Sequence, residues 1–332
     1  MKLVSTVVPI YFEEELIGEL YRRLKGALIA LGDGFDHEIV FVNDGSTDGS
    51  LPQLRALADE DPQVRVVDLS RNFGHQLAIT AGIDVASGDA VVVIDGDLQD
   101  PPEVIAEMIG KWQEGYAVVY GQRRSRAGES ALKRVTARWF YRLLNALSDT
   151  PLPLDTGDFR LMDRAVVDAL CSMREEARYI RGMVSWLGFK QYALPYDRDA
   201  RYAGTTKYTL SKMLKLATNG VMSFSVKPLT LMVDFGILVT LAAFVLLVWA
   251  IVMRIAHPDA VVQGWASTMV IVLFLGGVQL ISLGVLGAYV GRAFMESKRR
   301  PLYVVAGRYG FTEEHAQQPC PHCGRPVHET GR

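Results

Sequence analysis

The first 121 residues alternate between short runs rich in β-branched residues and longer amphipathic stretches, and this alternation restricts the fold more than any other feature. The runs predicted as strands are Val4–Ile10, Glu38–Val42, Val64–Leu69, Ala90–Ile94 and Ala117–Tyr120. The stretches predicted as helices are Glu13–Leu31, Ser50–Ala58, Gly74–Ala86 and Pro102–Trp112. Such alternation predicts a Rossmann-like, doubly wound α/β domain with a mostly parallel sheet. We expect this domain to occupy residues 1–206.

Two later segments are too apolar for an ordinary soluble domain. Residues 229–253 carry one charge, Asp234, and residues 267–290 carry none. Each segment exceeds the roughly 20 residues that span the hydrocarbon core of a bilayer. The short link between them predicts a transmembrane hairpin, residues 229–292, whose outer ends lie on the same side. A helical hairpin buried in a soluble core is the alternative, but the uncharged runs exceed ordinary helix lengths.

Basic residues flank the hairpin. Lysines precede it and a basic cluster follows it; these residues are Lys212, Lys215, Lys227, Arg292, Lys298, Arg299 and Arg300. The positive-inside rule therefore places both outer ends, and the α/β domain, in the cytoplasm. Residues 207–228 have lysines beside apolar residues at helical spacing, which predicts an interfacial amphipathic helix. Residues 293–332 are expected to be a cytoplasmic tail.

Net charge and cysteine content exclude some classes of protein. A net charge of −2 gives the chain no overall attraction for nucleic acid. Three cysteines fit a reducing compartment better than a disulfide framework. Cys320 and Cys323 have the spacing of a zinc knuckle, but structural zinc needs four ligands. Either His322, His328 or a second subunit completes such a site, or the tail binds no metal.

The predicted strand at Ala90–Ile94 ends in acids. Asp95 and Asp97 follow it directly, and Gln99 comes next, before a Pro-Pro helix start. Ligands of open parallel sheets bind at the carboxyl edge, and two acids two residues apart favour a divalent cation that holds a diphosphate. We therefore predict a divalent-cation site at Asp95 and Asp97. An aspartate-rich turn is the alternative.

Two other predicted strands end in side chains suited to a nucleotide. The first ends in Pro9, Tyr11 and Glu13, where an aromatic ring and an acid can stack on a base and hydrogen-bond to it. The second ends in Asp44, which can accept a hydrogen bond from a pyrimidine ring N–H. Ser46–Asp48 are expected to cap the helix that follows.

A basic run at residues 123–142 contains seven cations and one acid, Glu129. Its cations include Arg123, Arg134 and Arg138, and Arg201 and Lys207 form a second basic pair further along the chain. A charge run of this kind is usually a solvated helix face. Beside a metal–diphosphate site in a membrane-bound protein, binding of a phosphate headgroup explains it better.

Together, several ordered motifs resemble a known enzyme family. They are Pro9-x-Tyr11-x-Glu13, Val42–Asp48, Asp95–Glu103, Gly157–Leu161, Arg181–Phe189 and Gly204–Tyr208. This set, over residues 4 to about 304, resembles the inverting polyprenyl-phosphate glycosyltransferases of family 2. These share the GT-A fold with dolichyl-phosphate mannose synthases. The resemblance is nearest to the bacterial bactoprenol glucosyltransferases, which have two C-terminal membrane helices.

The resemblance implies a function and a role for each matching residue. It implies inverting transfer of a hexose, with glucose favoured, from a UDP-sugar to undecaprenyl phosphate. It also implies a homo-oligomer, which is a tetramer in relatives, in the bacterial inner membrane. The implied donor-binding residues are Pro9, Tyr11, Glu13, Asp44 and Asp95. The implied ligands of an Mg²⁺ or Mn²⁺ cofactor are Asp95, Asp97 and Gln99. The implied catalytic residues are Asp97, Asp158, Arg123 and Arg134. The implied ligands of the lipid phosphate are Arg134, Arg138, Arg201 and Lys207.

The sequence departs from the family pattern at two positions and leaves other functions open. Phe12 stands where the family has Asn, and Asp158 stands where the dolichyl-phosphate branch has Gly. The sugar could instead be mannose, galactose or an N-acetylhexosamine. A processive polysaccharide synthase is a weaker alternative, because the chain lacks a Gln-x-x-Arg-Trp motif and one hairpin is too small for a translocation channel. A non-catalytic scaffold and a transferase with a soluble acceptor are the remaining alternatives.

Overall fold

The computed structural model describes residues 1–124, 156–198, 227–256 and 265–311. The described residues divide into one unit built on a β-sheet and a second built from two long apolar helices. The predicted interfacial helix at 207–228 falls almost entirely outside the described residues, as does the Cys320/Cys323 segment.

The sheet unit contains eight strands and six α-helices among the described residues. The strands are β1 (Lys2–Ile10), β2 (Phe35–Asn43), β3 (Val64–Leu69), β4 (Ala90–Val93), β5 (Val118–Arg123), β6 (Thr156–Asp163), β7 (Gln191–Tyr196) and β8 (Val305–Tyr309). The helices are α1 (Ile17–Ile29), α2 (Ser50–Glu60), α3 (His75–Val85), α4 (Ile105–Gln113), α5 (Arg164–Ser172) and α6 (Ile180–Trp186). The predicted alternation over the first 121 residues is confirmed.

The strand order is β7-β5-β6-β4-β1-β2-β3-β8. Strands β1 to β4 pair in parallel with one another, and β5 pairs in parallel with β7. Strand β6 lies antiparallel between β4 and β5, and β8 lies antiparallel beside β3. The sheet is therefore mixed, and its parallel part brings the carboxyl ends of β1, β2, β3 and β4 to one edge.

The core lies on both faces of the sheet. Residues 4–10 of β1 and 38–43 of β2 are buried without interruption, because helices cover both faces of a doubly wound sheet. On one face, Leu20 and Leu24 of α1 pack with Phe41 and Phe159, all of them fully buried. This core fixes the strand ends from which the polar side chains emerge.

The second unit contains α7 (Lys227–Ala256) and α8 (Trp265–Ser297). Windows at Leu229–Leu246 and Phe274–Ser297 have mean hydropathies of 2.3 and 1.6, and neither is buried. By length and composition, both helices are candidate membrane spans. A hairpin buried in a soluble core would hide these apolar side chains, so their exposure argues against that alternative.

Strand β8 falls within the segment expected to be a tail. It pairs with β3 over Val66↔Tyr309 to Leu69↔Val305, with a bulge at Asp68/Leu69. The strand has only five residues and contains a glycine, so the sequence lacks the alternating pattern by which half-buried strands are recognised. Beside β3 it covers what would otherwise be an open edge of the sheet.

Candidate active site

Four strands bring polar side chains to one edge of the sheet. Ile10 of β1 is level with Asn43 of β2, and Val7 of β1 is level with Val93 of β4. Because β6 runs antiparallel to β4 with Arg160 opposite Val93, Asp158 comes level with Asp95. The residues that follow these strands therefore meet at a single edge, as expected for a ligand site in an open α/β sheet.

Asp44, directly after β2, is 3% exposed and is held by the loop after β3. Its Oδ1 accepts a hydrogen bond from the Phe73 N–H at 2.7 Å, and its Oδ2 accepts one from the Gly74 N–H at 3.0 Å. Burial raises the pKa of Asp44, and the two amides partly offset this rise. Each carboxylate oxygen keeps a second acceptor position, so Asp44 can still accept a hydrogen bond from a base.

The turn after Asp44 packs tightly against the same loop. Gly45 has a φ of +69°, and a Cβ there would collide with the backbone of Arg71 and Asn72. Asn43 joins neighbouring strand ends, because its Nδ2 donates to Asp68 Oδ1 at 2.7 Å and its Oδ1 accepts from the Ser46 N–H at 3.3 Å.

The expected capping role of Ser46–Asp48 is only partly found. Helix α2 begins at Ser50, and Asp48 accepts a hydrogen bond from the Ser50 N–H at 3.1 Å. Ser46 instead accepts one from the Phe12 N–H at 3.2 Å. Ser46 therefore joins the end of β2 to the end of β1 and does not cap the helix.

An exposed aromatic pair follows β1. Pro9 is buried, whereas Tyr11 and Phe12 are 46% and 47% exposed, with ring centroids 4.4 Å apart in an edge-to-face arrangement. Glu13 follows, and its N–H donates to Ser50 Oγ at 3.3 Å. An accessible ring at this edge can stack on a base, as the sequence predicted for Tyr11.

The predicted metal ligands occupy the turn after β4. Asp97 Oδ1 accepts a hydrogen bond from the Gln99 N–H at 3.1 Å, and Leu98 between them has a φ of 55°. Burial, together with neighbouring carboxylates, raises the pKa of Asp95 to about 6. Among the described residues, neither Asp95 Oδ1 nor Gln99 Oε1 has a hydrogen-bond partner, although both atoms are buried. Buried oxygens without donors fit a cation.

These oxygens do not form a complete metal site. Within the described ranges, no group of three or more His, Cys, Asp or Glu side chains is arranged to hold a metal ion. Proteins commonly hold Mg²⁺ with one or two carboxylates while substrate phosphates and water supply the other ligands. The donor set therefore fits a cation that arrives with a diphosphate.

Asp158, predicted to lie near the reacting centre, is 3% exposed, and both of its carboxylate oxygens accept hydrogen bonds. Arg181 donates from Nε to Oδ1 at 2.8 Å and from a terminal nitrogen to Oδ2 at 3.1 Å. Gln76 Nε2 also donates to Oδ2 at 3.1 Å. Burial alone would raise the pKa of Asp158, but His75 and Arg181 hold it well below its usual range. A carboxylate with this pKa and these partners is a poor proton acceptor.

His75 and Arg181 received no role from the sequence. His75 Nε2 lies 3.1 Å from Asp158 Oδ2 and 3.4 Å from Asp95 Oδ1, and these acids raise the pKa of His75 against the effect of its burial. His75 is the first residue of α3, directly after the loop that follows β3. A search for polar residues after each parallel strand, as made for β1, β2 and β4, would therefore have found it. Arg181 lies in a motif that carried the resemblance, but its contact with Asp158 depends on the tertiary fold.

Of the basic residues predicted to bind phosphate, Arg123 lies among the described residues. It ends β5 beside Tyr196 and Asp100, both of which raise its pKa, and the Tyr196 hydroxyl donates to the buried Asp100 Oδ1 at 2.5 Å. Arg198, which the sequence analysis missed, lies 3.3 Å from Asp100 Oδ1 and 3.8 Å from Asp97 Oδ2. The other predicted basic residues lie outside the described residues; they are Arg134, Arg138, Arg201 and Lys207.

The edge thus combines acids without full hydrogen bonding, several arginines and an exposed aromatic pair. This arrangement can bind a nucleotide diphosphate with a cation, while the arginines attract further phosphate. Cys171 is no candidate nucleophile, since burial raises its pKa to about 12.

Comparisons with known proteins assign the chain to a family. A model of glycosyl transferase family 2 matches residues 5–171. An uncharacterized glycosyltransferase, YkcC of Bacillus subtilis strain 168, is 51% identical over 92% of this chain and 94% of its own length. A prophage bactoprenol glucosyl transferase homolog of Escherichia coli K12 is 42% identical over 91% of this chain and 98% of its own.

Among solved structures, mannosyl-3-phosphoglycerate synthase from Rubrobacter xylanophilus is similar with a TM-score of 0.47 and 21% identity. The match covers 66% of this chain and 72% of that one. The expected α/β fold agrees with the family match and with the mixed sheet described above. From the family model and two relatives that match more than nine-tenths of its length, the chain belongs to glycosyl transferase family 2.

Proposed function

We propose that this glycosyltransferase transfers a hexose, glucose favoured, from a UDP-sugar to undecaprenyl phosphate with inversion at the anomeric carbon. The observation that carries the proposal is the meeting of Asp44 and Asp95 at one sheet edge in a chain that also has two candidate membrane helices. The Escherichia coli relative, a bactoprenol glucosyl transferase homolog by name, supports a lipid acceptor and glucose.

The donor would bind across the ends of β1, β2 and β4. In this proposal Tyr11 stacks on the uracil ring, with Pro9 shaping the strand end, while Asp44 accepts a hydrogen bond from the ring N–H and Glu13 binds a further polar group. Asp95, Asp97 and Gln99 would hold Mg²⁺ or Mn²⁺ against the diphosphate, and the ion supplies positive charge that stabilises the departing UDP. The buried Oδ1 of Asp95 and Oε1 of Gln99, which accept no hydrogen bond among the described residues, support this assignment.

The acceptor needs little activation. A phosphate monoester is largely a dianion at neutral pH, because its second pKa is near 6, so its oxygen can attack without a strong general base. The hydrogen bonds and low pKa of Asp158 make it a poor general base, in agreement with an acceptor that needs none. Asp158 would instead position Arg181 and His75. The main task of the enzyme is then to bring two anions together. Arg123, Arg134, Arg138, Arg201 and Lys207 would offset their repulsion and orient the lipid phosphate.

The membrane arrangement follows from chain connectivity. Strand β7 precedes α7, strand β8 follows α8, and both strands belong to one sheet. The two outer ends of the hairpin must then lie on the same side of any bilayer that the helices cross. The flanking basic residues favour the cytoplasmic side of a bacterial inner membrane. We further propose a homo-oligomer, a tetramer by resemblance.

The proposal is tested with membranes that contain the full-length protein. They are incubated with undecaprenyl phosphate, Mg²⁺ or Mn²⁺ and, one at a time, radiolabelled UDP-glucose, UDP-galactose, UDP-N-acetylglucosamine and GDP-mannose. We expect label from UDP-glucose in the lipid fraction. Asp97→Asn should reduce this transfer by about a hundredfold or more, whereas Asp168→Asn, on the exposed face of α5, should not change it.

The other outcomes identify the rival functions. Label from another sugar would replace glucose in the proposal. Transfer without added lipid phosphate to a water-soluble product would indicate a soluble acceptor, and a long labelled polymer would indicate a polysaccharide synthase. If neither transfer nor metal-dependent binding of UDP occurs, the protein is a scaffold and the proposal is wrong.

A further inference from the structure

Strand β8 enters the sheet at the edge that carries the candidate active site. Because β8 is antiparallel to β3, its first residue, Val305, lies opposite Leu69, the last residue of β3. The next residue of the β3–α3 loop, Ser70, donates its N–H to the carbonyl of Val304 at 2.9 Å. The loop that holds Asp44 therefore begins on the backbone of this C-terminal segment.

Side chains fix the segment on both sides of β8. Tyr303 donates its hydroxyl to Asp84 Oδ2 on α3 at 2.6 Å. At the other end, the Tyr309 ring packs on the core, and the guanidinium of Arg55 lies 4.2 Å from its centroid. Gly310 has a φ of +76°, and a Cβ there would collide with the carbonyl of Val64.

A row of hydrogen bonds leads from β8 across the strand ends. Gly307 of β8 pairs with Asp68 of β3, whose Oδ1 accepts a hydrogen bond from Asn43 Nδ2. Asn43 Oδ1 in turn accepts from the Ser46 N–H, and Ser46 Oγ accepts from the Phe12 N–H. The aromatic pair after β1 is thus connected to β8 through three neighbouring strand ends.

A second connection runs through the loop after β3. This loop starts at Ser70, bonded to Val304, and continues to Phe73 and Gly74, whose N–H groups hold the two oxygens of Asp44. Only two residues, Arg71 and Asn72, separate Ser70 from Phe73, and both pack against Gly45. A shift of β8 would therefore move the amides that orient Asp44.

We infer that residues 301–311 are a positioning segment for the donor nucleotide: docked on β3, they hold the loops that present Asp44, Ser46 and the Tyr11–Phe12 pair. The inference rests on the proposed function, since it concerns the donor site of that reaction. A strand that merely stabilised the fold would leave the affinity of the folded enzyme for its donor unchanged. A positioning segment changes that affinity.

The test compares two glycines in the full-length enzyme. Gly310→Ala introduces a Cβ that collides with β3, whereas Gly32→Ala introduces one at a similar φ, +82°, with no atom within 4 Å. We expect Gly310→Ala to raise the KM for the UDP-sugar about tenfold relative to Gly32→Ala, with kcat and the KM for undecaprenyl phosphate within about twofold. Equal donor KM values in the two variants would overturn the inference.

An activity-independent measurement separates this inference from the proposed function. Hydrogen exchange should be about tenfold faster at the Phe73 and Gly74 amides in Gly310→Ala than in Gly32→Ala, because these amides lose their fixed acceptor. Faster exchange with no sugar transfer in the wild type would reject the proposed function and leave the positioning role standing. Unchanged exchange would reject the positioning role.

Tyr303→Phe provides a second variant in case Gly310→Ala does not fold. It removes the hydrogen bond to Asp84, while Asp84 keeps its ion pair with Arg174 at 2.7 Å. A smaller rise in donor KM, about threefold, is expected with unchanged kcat. No rise in either variant would contradict the inference.

Discussion

At the scale of single residues, local conformational preference is broken at the candidate site. Phe12 and Leu98 both have a left-handed backbone, with φ values of 58° and 55°. This region is unfavourable for side chains without a short polar group, at about 1–3 kcal/mol per residue. The two residues follow β1 and β4, in the turns that present Tyr11 and Asp97. At these two residues the strain lies where a fixed presentation of ligand-binding groups is needed; the third such residue among those described, Arg299, lies just after α8.

Asp158 yields a prediction about stability. Asp158→Asn keeps the shape of the side chain but leaves the partly buried Arg181 without its carboxylate. Breaking a buried ion pair destabilises by about 3 kcal/mol, which corresponds to roughly 10 °C in the thermal midpoint of a domain of this size. We expect that loss by scanning fluorimetry, with no loss in the exposed control Asp168→Asn.

The pH dependence of this loss has a definite sign. The pKa of Asp158 in the folded protein is well below its usual value. Its stabilisation is therefore complete above the unfolded pKa of about 4 and is lost only as the pH falls through the lower folded value. The difference between wild type and Asp158→Asn should persist from pH 8 to pH 5, and it should grow toward pH 5 as His75, whose pKa Asp158 raises, becomes protonated. A difference that disappears by pH 5 would show that Asp158 is not held as an ion.

At the scale of elements, the proposed donor site includes a contact between two loops. The turn after β2 and the loop after β3 touch at Gly45, and hydrogen bonds from the second loop orient Asp44. A movement of either loop would therefore change the orientation of the Asp44 carboxylate.

Gly45→Ala should separate these loops. The added Cβ would collide with the backbone of Arg71 and Asn72, and the φ of +69° is unfavourable for alanine. We expect the Kd of UDP, measured by calorimetry with Mn²⁺, to rise about tenfold or more. The control is Gly115→Ala, at a φ of +89° with no atom within 4 Å, and it should bind UDP as the wild type does. Equal dissociation constants would show that the loop contact does not shape the site.

Sequence patterns predicted the elements of the first 121 residues because each strand contains a short run rich in β-branched residues and the runs are separated by amphipathic stretches. The expectation that polar residues after parallel strands meet at one edge also placed Asp44 and Asp95 together before the register was known. It could not find Arg181 or Arg198, because their partners lie at least 20 residues away and only the fold brings them together. Strand β8 was missed because five residues that include a glycine carry too little pattern.

At the scale of the whole molecule, chain connectivity restricts the membrane topology. Residues on both sides of the α7–α8 pair belong to the same sheet. If both helices cross the bilayer, the two outer ends of the pair must therefore lie on the same side of it.

Cysteine labelling tests this topology. In a variant whose native cysteines are replaced by alanine, Gln263→Cys should react with a membrane-impermeant maleimide in intact spheroplasts. Lys298→Cys should react only after permeabilisation, because the proposed topology places the region beyond the second helix on the cytoplasmic side. Labelling of both positions, or of neither, in intact spheroplasts would contradict a hairpin that crosses the membrane.

The position of β8 at the end of the chain also sets an order of events during biosynthesis. The ribosome makes β3 more than two hundred residues before β8, and both apolar helices emerge between them. Until translation passes Tyr309, the edge of β3 stays uncovered and the Ser70 amide lacks its partner. The nascent enzyme therefore completes its sheet only after both candidate membrane helices have been synthesised.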